Sequence, residues 1–206
     1  MLTAAHCLTR GVDAVWSVDT WVNRTSMYES PYDYYRTASY YLKHTYNSIT
    51  YANDIALAFL DKSVTGVTLA KINKRASTPA VGKAVTAIGL GKLKNPPAVD
   101  ATYLIQVSMT TLRGSSCVNV HGSSKFKNLN HICDGSTKGT CHGDSGGPLL
   151  LKGTTASKDI VVGITSYGSK AGCGLKPSAY TRVSKYALWI NSAVCSYSSY
   201  PPTTCP

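Results

Sequence analysis

The sequence predicts an all-β protein, and three observations carry that expectation. Only 15% of the 206 residues are charged, and Glu29 is the sole glutamate, which argues against long solvated helices. Hydrophobic residues make up 43%, enough to bury a core as one domain or two small ones. Short runs rich in Val, Ile, Thr and Tyr alternate with Gly, Pro and Asn clusters, the pattern of strands separated by turns.

Along the chain, the strand candidates are the apolar run of NDIALAFL (Asn53 to Leu60), VTAIGLG (Val85 to Gly91), YLIQVSM (Tyr103 to Met109) and IVVGITSYG (Ile160 to Gly168). One helix is expected near the C-terminus, over SKYALWINSAV (Ser184 to Val194). There Ala187, Leu188, Ile190 and Val194 can share one side, with Ser184 as N-cap.

The formal net charge is +11. Lys and Arg are scattered without aromatic interleaving, so the charge reads as a solvated basic surface and nucleic acid is not an expected partner. No apolar run reaches the ~18 residues of a membrane span, so no membrane partner is expected either. Seven Cys point to an oxidising, extracellular compartment. None forms a CxxC pair, so no structural zinc site is predicted. The NRT sequon makes Asn23 a glycosylation candidate. The chain opens MLTAAHC, with no basic start or long apolar core of a signal peptide, and is read as missing its beginning.

Three separated patches point to one chemistry. GDSGGPLL (Gly143 to Leu150) surrounds Ser145 with glycines, which allow a tight turn and close substrate approach. A serine hydroxyl needs a base to become a nucleophile, and the base needs an orienting carboxylate. AAHC (Ala4 to Cys7) supplies His6, and NDIALAFL supplies Asp54. Alone, each patch has an ordinary structural reading as a turn or a packed histidine.

Together LTAAHC, NDIALAFL and CHGDSGGPLL resemble the three signatures of the trypsin/chymotrypsin-like serine endopeptidases. SYGSKAGCGLKPSAYTRVSKYALWI (Ser166 to Ile190) resembles that family's substrate-binding strand, disulfide loop and final helix. KHTYNS (Lys43 to Ser48) resembles the segment before its catalytic Asp, with His44 in a structural position. The resemblance implies two antiparallel six-stranded β-barrels with a C-terminal helix and an active site between them. The first barrel, incomplete here, would cover residues 1–75, and the second barrel with the helix residues 76–194. Residues 195–206 would form a Cys-bounded tail, and Lys71 to Lys83 the connection.

The resemblance also implies roles. Ser145 attacks the peptide carbonyl, His6 is general base and then acid, and Asp54 orients the imidazole. The N–H groups of Gly143 and Ser145 form the oxyanion hole. Asp144 pairs with the N-terminal amine released by activation cleavage. No metal or cofactor is implied, and the partners are protein or peptide substrates. Gly139 stands where trypsin-type members carry the pocket-floor Asp. With Thr140 and His142 nearby, Ser166, Tyr167 and Gly168 along the substrate strand, and Ser178 narrowing the pocket, an uncharged, small to medium P1 side chain is expected. His121 and His131 sit in polar loops and are expected to be exposed. Implied disulfides are Cys117–Cys133 and Cys141–Cys173, with Cys195 and Cys205 able to close a terminal loop. Cys7 is left without a partner.

Two other function classes remain open at this stage. One is a secreted homologue that binds without cutting, which usually loses a triad residue. The other is a glycan-processing enzyme, which needs a carboxylate pair that the acidic residues here do not form.

Overall fold

The computed structural model describes all residues except 11–12, 15–17, 29–34, 136 and 206. The described residues form two curled antiparallel sheets and a C-terminal helix, the architecture of the chymotrypsin fold.

The first sheet has the order β1(Leu2–Thr3), β6(Ala56–Leu60), β5(Tyr35–Lys43), β4(Asp19–Trp21). A separate ribbon pairs β2(Thr9–Arg10) with β3(Asp13–Ala14). Strand β6 is the centre of this half: Ala56, Leu57 and Ala58 are buried, and it pairs with β1 on one side and β5 on the other. Asp54 lies two residues before it.

The second sheet runs β10(His131–Asp134), β13(Ser178–Arg182), β12(Ile160–Tyr167), β11(Pro148–Leu151), β8(Ala84–Gly89), β9(Ile105–Thr110). Its two ends meet. Thr111 bridges to Asp134, and the Leu112 N–H donates to the Cys133 carbonyl at 2.8 Å. Curling a sheet until its ends pair removes exposed strand edges. Within the expected connection, β7(Lys71–Ile72) pairs in parallel with β12, so it belongs to this sheet.

One cluster of buried residues ties the halves together. Ala4, Ile55 and Leu57 from the first pack with Leu150, Val161 and Ile164 from the second, and Val183, Tyr186, Ile190 and Ala193 seal them. Deleting a large aliphatic side chain from such a cluster costs ~2–5 kcal/mol.

The helical regions depart from expectation in three ways. Ser184 is not an N-cap: it lies inside a 3-10 turn, Val183–Tyr186, and its hydroxyl is buried with no hydrogen-bond partner among the described residues. The helix proper, α2(Ala187–Tyr197), starts three residues later than expected. That start sets the buried face as Ala187, Ile190 and Ala193, and leaves Leu188 88% exposed. A second helix, α1(Gly114–His121), was not expected. Its anchor is covalent: Cys117 is fully buried and bonded to Cys133 of β10.

The histidines also differ from expectation. His131 opens β10 and is only 1% exposed. Its Nδ1 accepts from the Lys127 N–H at 3.1 Å, and burial lowers its pKa to about 4. His121 ends α1 half-buried, its Nε2 2.8 Å from the Pro177 carbonyl oxygen. His44 packs edge-on against Tyr186 and Trp189, each at 5.2 Å between ring centroids, which docks the final helix on the first sheet. Asn23 lies exposed in the turn after β4, with φ of 60°.

Candidate active site

The site is built where the two sheets face each other. His6 lies in a single 3-10 turn, Ala5–Leu8. Ala4 and Ala5 are fully buried, and only small residues there let the turn sit on the core. Asp54 is 0% exposed and its carboxylate accepts three hydrogen bonds. The His6 N–H donates to Oδ1 at 2.8 Å, His6 Nδ1 lies 2.7 Å from Oδ2, and the Ser166 hydroxyl donates to Oδ2 at 2.5 Å. The Thr181 hydroxyl donates to the Asp54 main-chain carbonyl at 2.8 Å. Two of these donors come from the second sheet, so the pair is fixed across the junction.

A β-bulge explains the reach of Ser166. The pairing of β12 with β13 shifts register between Thr165 and Tyr167. A bulge re-aims the side chain it contains, and here it turns Ser166 toward Asp54. Burial pulls the His6 pKa down, but its hydrogen bond with Asp54, helped by the Cys7 side chain, outweighs that and leaves the imidazole above its ordinary 6.5. One nitrogen engaged by a carboxylate fixes the tautomer that frees Nε2 as an acceptor.

Ser145 comes from the loop before β11. The Gly146 N–H donates to the Thr165 carbonyl and the Thr165 N–H to the Gly147 carbonyl, both at 2.9 Å. Gly146 has φ of +77°, and a Cβ there would lie 2.2 Å from Thr3 Oγ1 and 3.2 Å from the Ala4 nitrogen. A side chain would therefore wedge the Ser145 loop away from the His6 turn. Ser145 is exposed and lines a cleft of about 500 Å³ together with His6. Among the described residues its hydroxyl makes no hydrogen bond, and none joins it to His6.

The loop holds two unused donors. The N–H groups of Asp144, Gly146 and Gly147 are bonded within the chain. Those of Gly143 and Ser145 have no acceptor among the described residues, and Gly143 adopts φ of +96°. Two free N–H groups on either side of Asp144, one of them the exposed serine's own, can hold a developing oxyanion.

Other expected residues divide between two cavities. Thr140, His142, Ser166, Tyr167, Gly168 and Ser178 line the cleft with Ser145. Gly139 and Asp144 line a neighbouring cavity of about 330 Å³. Asp144 Oδ1 accepts from the Gly91 N–H at 3.0 Å and Oδ2 from the Cys141 N–H at 2.8 Å. Gly139 still reaches the cleft wall, since a Cβ there would lie 3.7 Å from Ser178 Oγ. The disulfide Cys141–Cys173 ties the two cleft walls together, and Cys117–Cys133 and Cys195–Cys205 are also formed. Cys7 is free and exposed.

Sequence reasoning missed Tyr51, Asn95 and Pro96 as cleft-lining residues, and Thr181 as the support of Asp54. Tyr51 stands three residues before Asp54, and Thr181 lies inside the KPSAYTRV stretch, so position relative to the motifs was the available signal. Nothing local marks Asn95 or Pro96.

Comparison with known proteins agrees with this geometry. The family model described as Trypsin matches residues 1–190. Brachyurin of Leptuca pugilator is 33% identical over 198 residues, covering 93% of this chain and 82% of brachyurin. Coagulation factor XII of Sus scrofa is 30% identical over 214 residues, 95% of this chain but 34% of that protein. Trypsin delta of Drosophila melanogaster is 28% identical over 195 residues, with 93% and 74% covered. The chain belongs to the trypsin family of serine proteases.

Proposed function

We propose that this protein is an extracellular serine endopeptidase. Ser145 attacks the scissile carbonyl, His6 takes its proton and later protonates the leaving amine, and Asp54 fixes and stabilises the imidazole. The oxyanion rests on the N–H groups of Gly143 and Ser145. The observation that carries the reading is the His6–Asp54 pair, locked by Ser166 and Thr181 and opening into the cleft that Ser145 lines. The contact between Ser145 and His6 closes when substrate fills the cleft, as catalytic hydrogen bonds commonly tighten on binding.

Residues 1–75 and 76–194 act as the two halves of the catalytic unit, with β7 at the boundary reaching across to the second sheet and residues 195–206 as a tail closed by Cys195–Cys205. Asp144 receives the amine freed by activation cleavage in its own cavity, which shapes the Gly143–Ser145 loop. Three disulfides support an oxidising compartment, and among the described residues no helix is long and apolar enough to cross a membrane. The substrates are proteins or peptides with an uncharged, small to medium P1 side chain. Gly139 brings no charge to the pocket, and Ser178 Oγ stands 3.4 Å from where a Gly168 Cβ would be.

Hydrolysis of a peptide-amide panel differing only at P1 tests the reading. Cleavage after Ala, Leu or Phe that disappears in Ser145→Ala and in His6→Ala supports it. Binding without turnover would replace it with a non-cutting homologue.

A further inference from the structure

Among the described residues two buried carboxyls stand outside the mechanism, and unlike Asp159, which pairs with Lys152, Asp134 has no ion-pair partner. It is 0% exposed, and neither of its oxygens accepts a hydrogen bond of normal geometry among the described residues, its interaction with the Tyr180 hydroxyl falling short of one. An unpaired buried acid destabilises a fold, so its presence calls for a reason. The sheet register supplies one. Asp134 of β10 is paired with Ser178 of β13, and cross-strand partners project from the same face with Cβ atoms about 5 Å apart. Tyr180, two residues on, shares that face.

Both neighbours lead to the cleft. Ser178 lines it. The Tyr180 hydroxyl is 3.0 Å from Thr140 Oγ1, and Thr140 lines it too. The carboxyl thus sits beside Ser178, which lines the cleft, and Tyr180, which reaches it through Thr140.

We propose that Asp134 is a recessed acid of the P1 pocket: protonated, it leaves the pocket to uncharged side chains, and ionised, it admits cationic ones. The inference deepens the protease reading and rests on it for the identity of the pocket. Burial pushes the Asp134 carboxyl up to about 8, opposed by Tyr180. Among the described residues its surroundings hold no fixed counter-charge. From β13, Tyr180 stays neutral because burial and then Asp134 raise its pKa, and the Arg182 guanidinium is bound to the Ala76, Thr78 and His131 carbonyls. From its own strand, His131 is held neutral by burial. From the following loop, the Lys138 side chain is exposed. The acid therefore answers to pH and to the charge of whatever enters the pocket.

The test measures binding of benzamidine and of uncharged benzamide by calorimetry, from about pH 6 to about pH 9.5, with wild type and Asp134→Asn. Benzamidine affinity is expected to rise about 10-fold or more across that range in the wild type, with proton release near neutrality. Benzamide affinity stays flat, and Asp134→Asn abolishes the benzamidine slope. Should Asp134→Asn fail to fold, proton release by the wild type, read in buffers of different ionisation enthalpy, decides alone. No benzamidine binding at any pH, no proton release, or a slope that survives in Asp134→Asn overturns the proposal. Hydrolysis of the P1 panel by the same preparation is scored separately. Its loss counts against the protease reading, while a flat benzamidine profile with hydrolysis intact counts against Asp134 alone.

Discussion

Asp54 and Asp134 are both 0% exposed, yet the protein treats them in opposite ways. Asp54 receives donors from His6 and Ser166 on its carboxylate and one from Thr181 on its main chain. Asp134 receives none of normal geometry among the described residues. Burial raises the cost of charge in both places. Where donors offset that cost, the acid can orient a base. Where they do not, the acid stays largely protonated and its charge becomes conditional. The number of aimed donors, and not depth, separates the acid proposed to orient the base from the one proposed to respond to charge.

The sharpest way to break the comparison is to weaken Asp54. Asp54→Asn should lower kcat/KM by about 10⁴-fold with the fold retained, because the imidazole loses its tautomer control. The pH profile should move as well. His6 must be neutral to accept the Ser145 proton, and its pKa lies above 6.5. Wild-type kcat/KM should therefore fall on the acid side with a midpoint above 6.5, and Asp54→Asn should bring that midpoint down.

Asp134→Asn should act on stability with the reverse sign. A carboxyl whose folded pKa is raised from 3.8 to about 8 makes the folded state bind more protons, so its contribution worsens as pH climbs through that window. Relative to wild type, Asp134→Asn should gain roughly 1 kcal/mol per pH unit between about 4 and 8. Denaturant unfolding at several pH values checks this.

Two smaller effects sharpen the contrast. Gly146→Ala forces a Cβ against Thr3 and Ala4 at positive φ. It should cost ~1–3 kcal/mol in thermal unfolding and about 100-fold in kcat/KM, through displacement of Ser145. Ser166→Ala removes a single donor from a buried carboxylate that keeps two others. A loss of ~1–3 kcal/mol in stability is expected, with a more modest fall in kcat.

How far the sequence revealed this depends on what fixes each feature. His6, Asp54 and Ser145 stand in short motifs whose residue types are set by chemistry, so each could be read locally. The strands at β6, β8, β9 and β12 followed from apolar runs between turn residues. Leu188 was misread because helix phase depends on where the helix starts, and the 3-10 turn at Val183–Tyr186 consumed the first residues. His131 was misread because its polar neighbours in sequence are not its neighbours in space. Helix α1 has little apolar periodicity and is held by Cys117–Cys133. Asp134 was invisible as a site residue because its meaning comes from the register that sets it opposite Ser178, a long-range pairing no local pattern encodes.

The most direct test of the account is fluorophosphonate labelling followed by peptide mapping. A serine activated by His6 and Asp54 should take one label, on Ser145, with the rate rising as His6 deprotonates and falling to background in His6→Ala. Label spread over several serines, or labelling of Ser145 unchanged in His6→Ala, would contradict it.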